Sequence, residues 1–254
     1  MSRTAMPVLF LAHGSPMNIV DENPYTAMLR KLGRRLPLPK AVLVVSAHWL
    51  TDGTRVSSDK QTEPMYDFFG FPEPLYAVYY APPGSPETAR KIADRLPEVT
   101  ASGRRIDHGA WALMYHLFPE ADVPLLQLSI DRNLAPEGHW ELGERLAFLR
   151  SEGVLIVGSG NVTHNLGAVT AGDTPPPEWA KRFDGSVADA LERGDREALC
   201  GYERWGEAAR ISLPTAEHYL PLLYGAGAAR GSRPKALYRG FQNGSVSMSS
   251  WIFE

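Results

Sequence analysis

Three apolar runs, Val8-Leu9-Phe10-Leu11-Ala12, Val42-Leu43-Val44-Val45 and Val154-Leu155-Ile156-Val157, lack the polar alternation of a strand with one wet face. Such unbroken runs predict strands buried on both sides, as in a parallel sheet. Residues 123–130 predict another strand, with a nearly continuous apolar face. Helical patterns lie between them. Asn23-Pro24 reads as an N-cap with proline at the first helical position, opening a helix to about Leu36 that Pro37 and Pro39 stop. Ser85-Pro86 caps a helix through about Leu96, residues 109–118 give another, and about 136–150 a fourth, with Leu142, Leu146 and Leu149 at helical spacing. Beyond the rigid connector Pro175-Pro176-Pro177, helical patterns resume with Trp179, Phe183 and Val187. A short helix then spans about 195–205. Residues 215–224 read as a helix start, although Pro221 suits only a first turn. Late strands at 236–239 and 245–253 complete the pattern. The first fifty residues form a β-α-β unit, whose right-handed crossover makes parallel strands. The expected fold is α/β, one domain over residues 1–254, with a mostly parallel central sheet and helices on both faces.

Residues 59–83 are rich in aromatics and prolines, including Tyr66-Asp67-Phe68-Phe69-Gly70-Phe71-Pro72, and follow neither period. Long connections of this kind are usually functional, so the segment is expected as an ordered loop beside a site. The chain of 254 residues, 44% hydrophobic and 22% charged, is long enough for a substantial core and ordinary for a globular protein. A net charge of -3 offers no attraction to nucleic acid or an anionic membrane. The local cluster Arg30-Lys31 with Arg34-Arg35 fits the solvated end of a helix. Cys200 is the only cysteine, which excludes an intramolecular disulfide and a thiolate metal cluster. No run approaches the ~18 apolar residues of a membrane span, and the N-terminal residues enter a strand pattern without a signal-peptide core. The expected location is the cytoplasm.

Chemistry enters at the strand ends. Open α/β sheets bind ligands just outside the carboxyl ends of their strands. His13 follows the first run, His48 the second, and His164 the third after Gly158-Ser159-Gly160-Asn161. Seven histidines are close to an average number, so position carries the argument. His13 opens His13-Gly14-Ser15-Pro16, where small residues let solvent approach the imidazole. His218 lies beside Glu217, and either side chain is suited to ligation. His108 stands between Asp107 and Gly109-Ala110-Trp111, another small-residue opening. His116 and His139 fall within or near helical patterns and are expected to be structural or exposed. Competing designs lack their signatures: there is no GxxxxGK[ST], no completed GxGxxG, no GxSxG and no HExxH. Cys200 sits in a helical pattern without a basic neighbour to activate it. Histidines from distant segments meeting at one crevice point to a mononuclear metal centre.

At these residues the chain resembles the DOPA 4,5-dioxygenase family of class III (LigB-type) extradiol ring-cleavage dioxygenases. The resemblance is carried by Leu11-Ala12-His13-Gly14-Ser15-Pro16, Val44-Val45-Ser46-Ala47-His48-Trp49, Asp107-His108-Gly109-Ala110-Trp111, Gly160-Asn161-Val162-Thr163-His164-Asn165-Leu166, the stretch from Pro214 through Glu217, His218 and Pro221 to Leu223, and Gly244-Ser245-Val246-Ser247-Met248. These segments run in family order from residue 7 almost to the end. The resemblance implies a doubly wound α/β domain holding one divalent metal through His13, His48 and His218. His164 would lie close enough to ligate or to act as acid-base, and His108 would face the substrate. Relatives of LigB type use two histidines and a carboxylate on iron. This chain has His218 at the third position, and an all-histidine set suits Zn(II) as well as Fe(II).

The implied reaction is O2-dependent extradiol cleavage of a catechol such as DOPA to a muconic semialdehyde. Three protein ligands leave positions for the catechol oxygens and O2, so His164 is expected off the metal when substrate binds. His164 and His108 are the candidates for proton transfer, in either order. Phe68, Phe69 and Phe71, with Trp49, Trp111 and Tyr219, are candidates for apolar walls around the ring, although most such aromatics are core. Two other readings share the site: a zinc hydrolase that activates water, and a non-enzymatic metal- or partner-binding protein of Memo type. The oligomeric state is not legible.

Overall fold

The computed structural model describes residues 5–172 and 174–254. Its strands are β1 (Val8–Ala12), β2 (Ala41–Thr51), β3 (Arg55–Ser57), β4 (Thr100–Ser102), β5 (Leu125–Asp131), β6 (Val154–Gly160), β7 (Pro234–Tyr238), β8 (Phe241–Gln242), β9 (Val246–Ser247) and β10 (Ser250–Phe253). The helices are α1 (Pro24–Arg35), α2 (Glu73–Tyr76), α3 (Pro86–Arg95), α4 (His108–Leu117), α5 (Pro136–Leu146), α6 (Phe148–Ser151), α7 (Glu178–Arg193), α8 (Arg196–Cys200), α9 (Glu207–Ser212) and α10 (Leu220–Ala229).

Eight strands form one sheet in the order β4-β3-β5-β2-β6-β1-β10-β7. Its centre, β5-β2-β6-β1, is parallel, while β10 and β7 add an antiparallel edge. The four apolar runs are these four central strands. Alternate residues divide between two cores, as the period of two requires. Val8, Phe10, Leu43, Val45 and Ile156 pack toward α5, α7 and α10; Leu9, Leu11, Val42, Val44 and Val157 pack toward α1 and α4. Strands β1 and β2 are parallel but not adjacent, because β6 lies between them. The chain leaves β1 toward α1 on one face and leaves β6 toward α7–α10 on the other. Neighbouring strands with connections to opposite faces open a crevice at their carboxyl ends.

Helix α1 starts as its sequence predicts: Asn23 accepts from the Thr26 N–H, the Thr26 hydroxyl answers the Asn23 N–H, and Pro24 takes the first position. Elsewhere the boundaries differ from expectation. The helix expected over 136–150 breaks at Ala147 into α5 and α6, and that over 195–205 is α8 followed by a 3-10 turn at Tyr202–Trp205. The last expected strand divides into β9 and β10. Segment 59–83 has α2 as its single helix and is otherwise irregular, tied down by bridges from Gln61 to Pro83 and from Pro64 to Ile106. Cys200 is buried, and burial pushes its thiol up to about 11, which keeps it protonated and unreactive near neutrality.

Two departures position the site. β2 does not end at His48; it continues to Thr51, and its pairing with β5 shifts register between Val45 and Leu50. The irregularity re-aims the side chains of this stretch. The helix expected from Thr215 begins only at Leu220, because Pro221 lacks an N–H and is confined to the first turn. His218 therefore sits in the turn before α10. That turn lies directly on β6. Asn161 N–H donates to the His218 carbonyl at 2.8 Å, and a Cβ on Gly160 would stand 2.0 Å from the same oxygen.

Both groups in that contact are backbone, so neither can swing away. Gly160→Ala is expected to cost about 1–3 kcal/mol of stability by overpacking and to displace His218. Urea unfolding and the bound-metal stoichiometry of the variant check this; wild-type values for both would refute the close-approach argument.

Candidate metal centre

His13 follows β1 directly, and the left-handed Gly14 (φ +59°) turns the chain at once so that the imidazole stays at the strand end. His48 reaches the same point from the irregularity in β2, and His218 from the turn on β6. Ring centroids of His13 and His48 are 4.8 Å apart, and His218 lies 5.2 Å from each. One nitrogen from each of the three falls within 4.8 Å of the others.

Hydrogen bonds on the far side select the tautomers. Ser159 donates its hydroxyl hydrogen to the Gly109 carbonyl, so at 3.0 Å from His13 Nδ1 it must accept. His13 Nε2 is left as a bare lone pair. Glu217 Oε1 accepts from His218 Nδ1 at 3.1 Å, and His218 Nε2 is buried with no partner. His13 Nε2 and His48 Nε2 stand 3.1 Å apart. His13 Nε2 accepts there, so His48 Nε2 either donates its hydrogen to it or, as the other tautomer, joins it in ligating a cation. Nitrogens bound 2.0–2.1 Å from one ion lie roughly 3 Å from each other, so the three residues fit a divalent metal held by imidazole.

Burial reinforces this state. It takes His13 well below the ordinary imidazole range, with the neighbouring histidines adding to the effect. Burial, again with neighbouring histidines, lowers His48 to about 3. His218 falls to about 4 through burial, against the opposing pull of Glu217. The cluster is neutral at physiological pH, the form that ligates.

His108 and His164 flank this trio. His108 opens α4, its ring 4.2 Å from that of His48. Asp67 Oδ1 accepts both its backbone N–H at 2.8 Å and its Nδ1–H at 3.0 Å. Burial would raise the Asp67 carboxyl, but these hydrogen bonds prevail and bring it down to about 2. The second Asp67 oxygen lies 3.6 Å from His48 Nδ1, longer than a hydrogen bond. His164 stacks on His218 at 3.4 Å with planes 5° apart. One of its nitrogens lies within 4.8 Å of a His218 nitrogen and a Glu217 oxygen, but His164 is not part of the set that His13, His48 and His218 form. Burial lowers it to about 4, with Glu217 opposing.

A cavity of about 580 Å³ opens beside the histidines, lined by Phe68, Phe69, Phe71, Leu166, Val169 and Val246 in addition to the polar groups. Segment 59–83 thus supplies a wall of the site. Trp49, Trp111 and Tyr219 do not line it. Trp111 faces the core from α4 and donates to the Met65 carbonyl, Tyr219 packs on Phe183 and Tyr202, and Trp49 carries Arg104 over its ring. His116 and His139 lie outside the site, bonded to the Asn18 carbonyl and the Tyr224 hydroxyl.

Sequence reasoning missed Asp67, Ser159 and the support beneath His48. There the buried Asp107 accepts from Ser46, Gln127 and the Ala110 N–H, and Arg104 bonds the His48 carbonyl at 3.1 Å. A lone carboxylate inside an aromatic run was the available signal for Asp67. Nothing local distinguished Ser159.

Residues 7–253 match the family model of the catalytic LigB subunit of aromatic ring-opening dioxygenases. The chain is 43% identical to a 4,5-DOPA dioxygenase extradiol of Escherichia coli K12, covering 98% of this chain and 95% of that protein. It is 38% identical to one from Beta vulgaris, covering 96% and 95%. A crystal structure of an uncharacterized protein from Escherichia coli K12 superposes with a TM-score of 0.86 at 41% identity, over 98% of this chain and all of the other. Matched in sequence and fold across nearly its whole length, the chain belongs to the LigB-type extradiol ring-cleaving dioxygenases.

Proposed function

We propose that this protein cleaves a catechol, DOPA among them, at an extradiol bond, with His13, His48 and His218 holding one divalent metal. The observation that carries the reading is the convergence of three neutral imidazoles, those of His13 and His218 buried and that of His48 half-buried, on one point beside an apolar cavity, with two further histidines outside the set. A bound Fe(II) supplies Lewis acidity toward the catechol oxygens and one-electron chemistry toward O2; Zn(II) fits the same nitrogens without the redox capacity. The whole chain acts as one catalytic domain, and the compartment proposed is the cytoplasm.

The chain's own groups handle binding and protons. Phe68 and Phe71 offer flat apolar surface to the ring and keep water from the cavity. Catechol binding requires loss of a hydroxyl proton. His108 is suited to take it, since Asp67 holds Nδ1–H, leaves Nε2 as acceptor and stabilises the charge that forms. His164, kept neutral by burial and free of the ligand set, is the second proton-transfer group and serves ring opening. The stack on His218 holds His164 beside the three histidines that would bind the metal.

Protein reconstituted anaerobically with Fe(II) and given a catechol should, on admission of air, consume one O2 per ring opened and form a yellow semialdehyde; confirmed iron occupancy without turnover of any catechol sinks the reading. His13→Ala or His48→Ala should reduce bound metal from one per chain to none, measured by elemental analysis. His108→Ala should retain the metal and lose about 10²–10⁴-fold in kcat. Asp67→Asn, which removes the charge behind the base, should retain the metal and lose roughly 10–100-fold in kcat.

A further inference from the structure

The turn that carries His13 is fastened to the C-terminal part of the chain by a pair of side-chain amides. Asn18 lies in the 3-10 turn Pro16–Ile19 and is buried, and its Nδ2 donates to the His13 carbonyl at 3.2 Å. A carbonyl can only accept, so this bond dictates which way the Asn18 amide faces. Gln242, on β8, accepts the Ser15 N–H on Oε1 at 3.3 Å. A backbone N–H can only donate, so the Gln242 amide is oriented as well. Turned by these separate anchors, the two amides are complementary: Asn18 Nδ2 donates to Gln242 Oε1 at 3.0 Å, and Gln242 Nε2 donates to Asn18 Oδ1 at 2.6 Å. The packing around them is close. A Cβ on Gly14 would stand 2.7 Å from Gln242 Oε1 and 2.6 Å from Met248 Sδ.

We infer that Gln242, acting through Asn18 and Ser15, is a positioning residue that sets where His13 presents its ring. The inference rests on the metal-centre reading only in taking His13 as a ligand. Glycine after a ligand lets the chain adopt φ +59°, and by the same freedom lets it leave. The bonds on either side of Gly14, to the His13 carbonyl and from the Ser15 N–H, remove that freedom. A polar network in which each amide satisfies the other is rigid. Its far end is anchored too. In the β8–β9 hairpin that carries Gln242, Ser247 N–H donates to the Thr163 hydroxyl at 2.8 Å, and its carbonyl accepts from Asn161 Nδ2 at 2.8 Å. Thr163 precedes His164, so the hairpin spans from the His13 turn to the His164 segment. The spacing between a ligand and a proton-transfer group is thereby held by residues that lie far from both in sequence.

The test compares the full-length wild type with Gln242→Met, which keeps length but removes both hydrogen-bonding ends, and Gln242→Glu, which keeps the acceptor for Ser15 and sets a second acceptor against Asn18 Oδ1. Near-UV circular dichroism identifies the variants that fold. Two quantities are then read: histidine ring signals in the metal-free, isotope-labelled protein, and the Kd for Zn(II) by competition with a chromophoric chelator. In each folded variant the His13 signals should shift while those of His139, bonded to Tyr224 in the other core, stay in place. The Zn(II) Kd should rise about tenfold or more. Unshifted His13 signals with wild-type Zn(II) affinity in either variant overturn the inference. Equal shifts in His139 overturn it as well, since general loosening of the fold then explains the change. If the wild type binds no Zn(II), or the iron-loaded enzyme opens no catechol, the functional reading fails, and the His13 spectra alone decide whether Gln242 positions that ring.

Discussion

Imidazoles packed at centroid separations of 4–5 Å can share a buried pocket only if they remain uncharged. Protonating any of them places a cation in low dielectric beside other potential cations. For His13, His48 and His218 burial disfavours the charged form, and for the latter two it prevails over the opposing pull of nearby carboxylates. An acceptor behind each of three rings fixes the tautomer by holding Nδ1–H: Ser159 for His13, Glu217 for His218 and Asp67 for His108. What remains at the centre is the Nε2 lone pairs of His13 and His218, with His48 Nε2 3.1 Å from that of His13. The His218 nitrogen is buried without a partner, an unfavourable arrangement by itself and a favourable one around a cation, so the cluster suits a metal better than a structural packing of histidines.

The fold serves this arrangement through backbone geometry. Parallel strands β1, β2 and β6 end at the same edge, but ending there is insufficient to aim a side chain. His13 depends on the left-handed turn at Gly14, His48 on the register shift within β2, and His218 on a turn pressed against Gly160. Each device involves a departure from regular structure at the point where a ligand is needed, as bulges and glycines near active sites commonly do. Beneath them the buried Asp107 is fully paired, so the support of His48 is rigid without an uncompensated charge.

The segment at 59–83 joins wall and chemistry. It is irregular because its prolines interrupt both helix and strand, yet it is held by Asp67, whose carboxylate accepts from the His108 backbone N–H as well as from its ring. Order in this loop and orientation of the base are therefore one property.

The amino-acid order by itself determined the buried strands, since a sheet covered on both faces accommodates three unbroken apolar runs and a fourth interrupted by Gln127 and Ser129, and it determined the start of α1 through its capping residues. It also pointed to His13, His48, His108, His164 and His218, through strand ends, small-residue openings and family resemblance. Local pattern could not decide where β2 ended, because that depends on its irregular pairing with the distant β5; Pro221 marked where α10 could begin, but only the contact of the preceding turn with β6 sets His218 at the site. Nor could it decide which aromatics are walls: Phe68 and Trp111 look alike in sequence, and only packing turns one to the cavity and the other to the core. The pairing of Asp67 with His108 and of Ser159 with His13 was decided by tertiary structure alone, since a hydrogen bond between distant segments leaves no period or spacing to read.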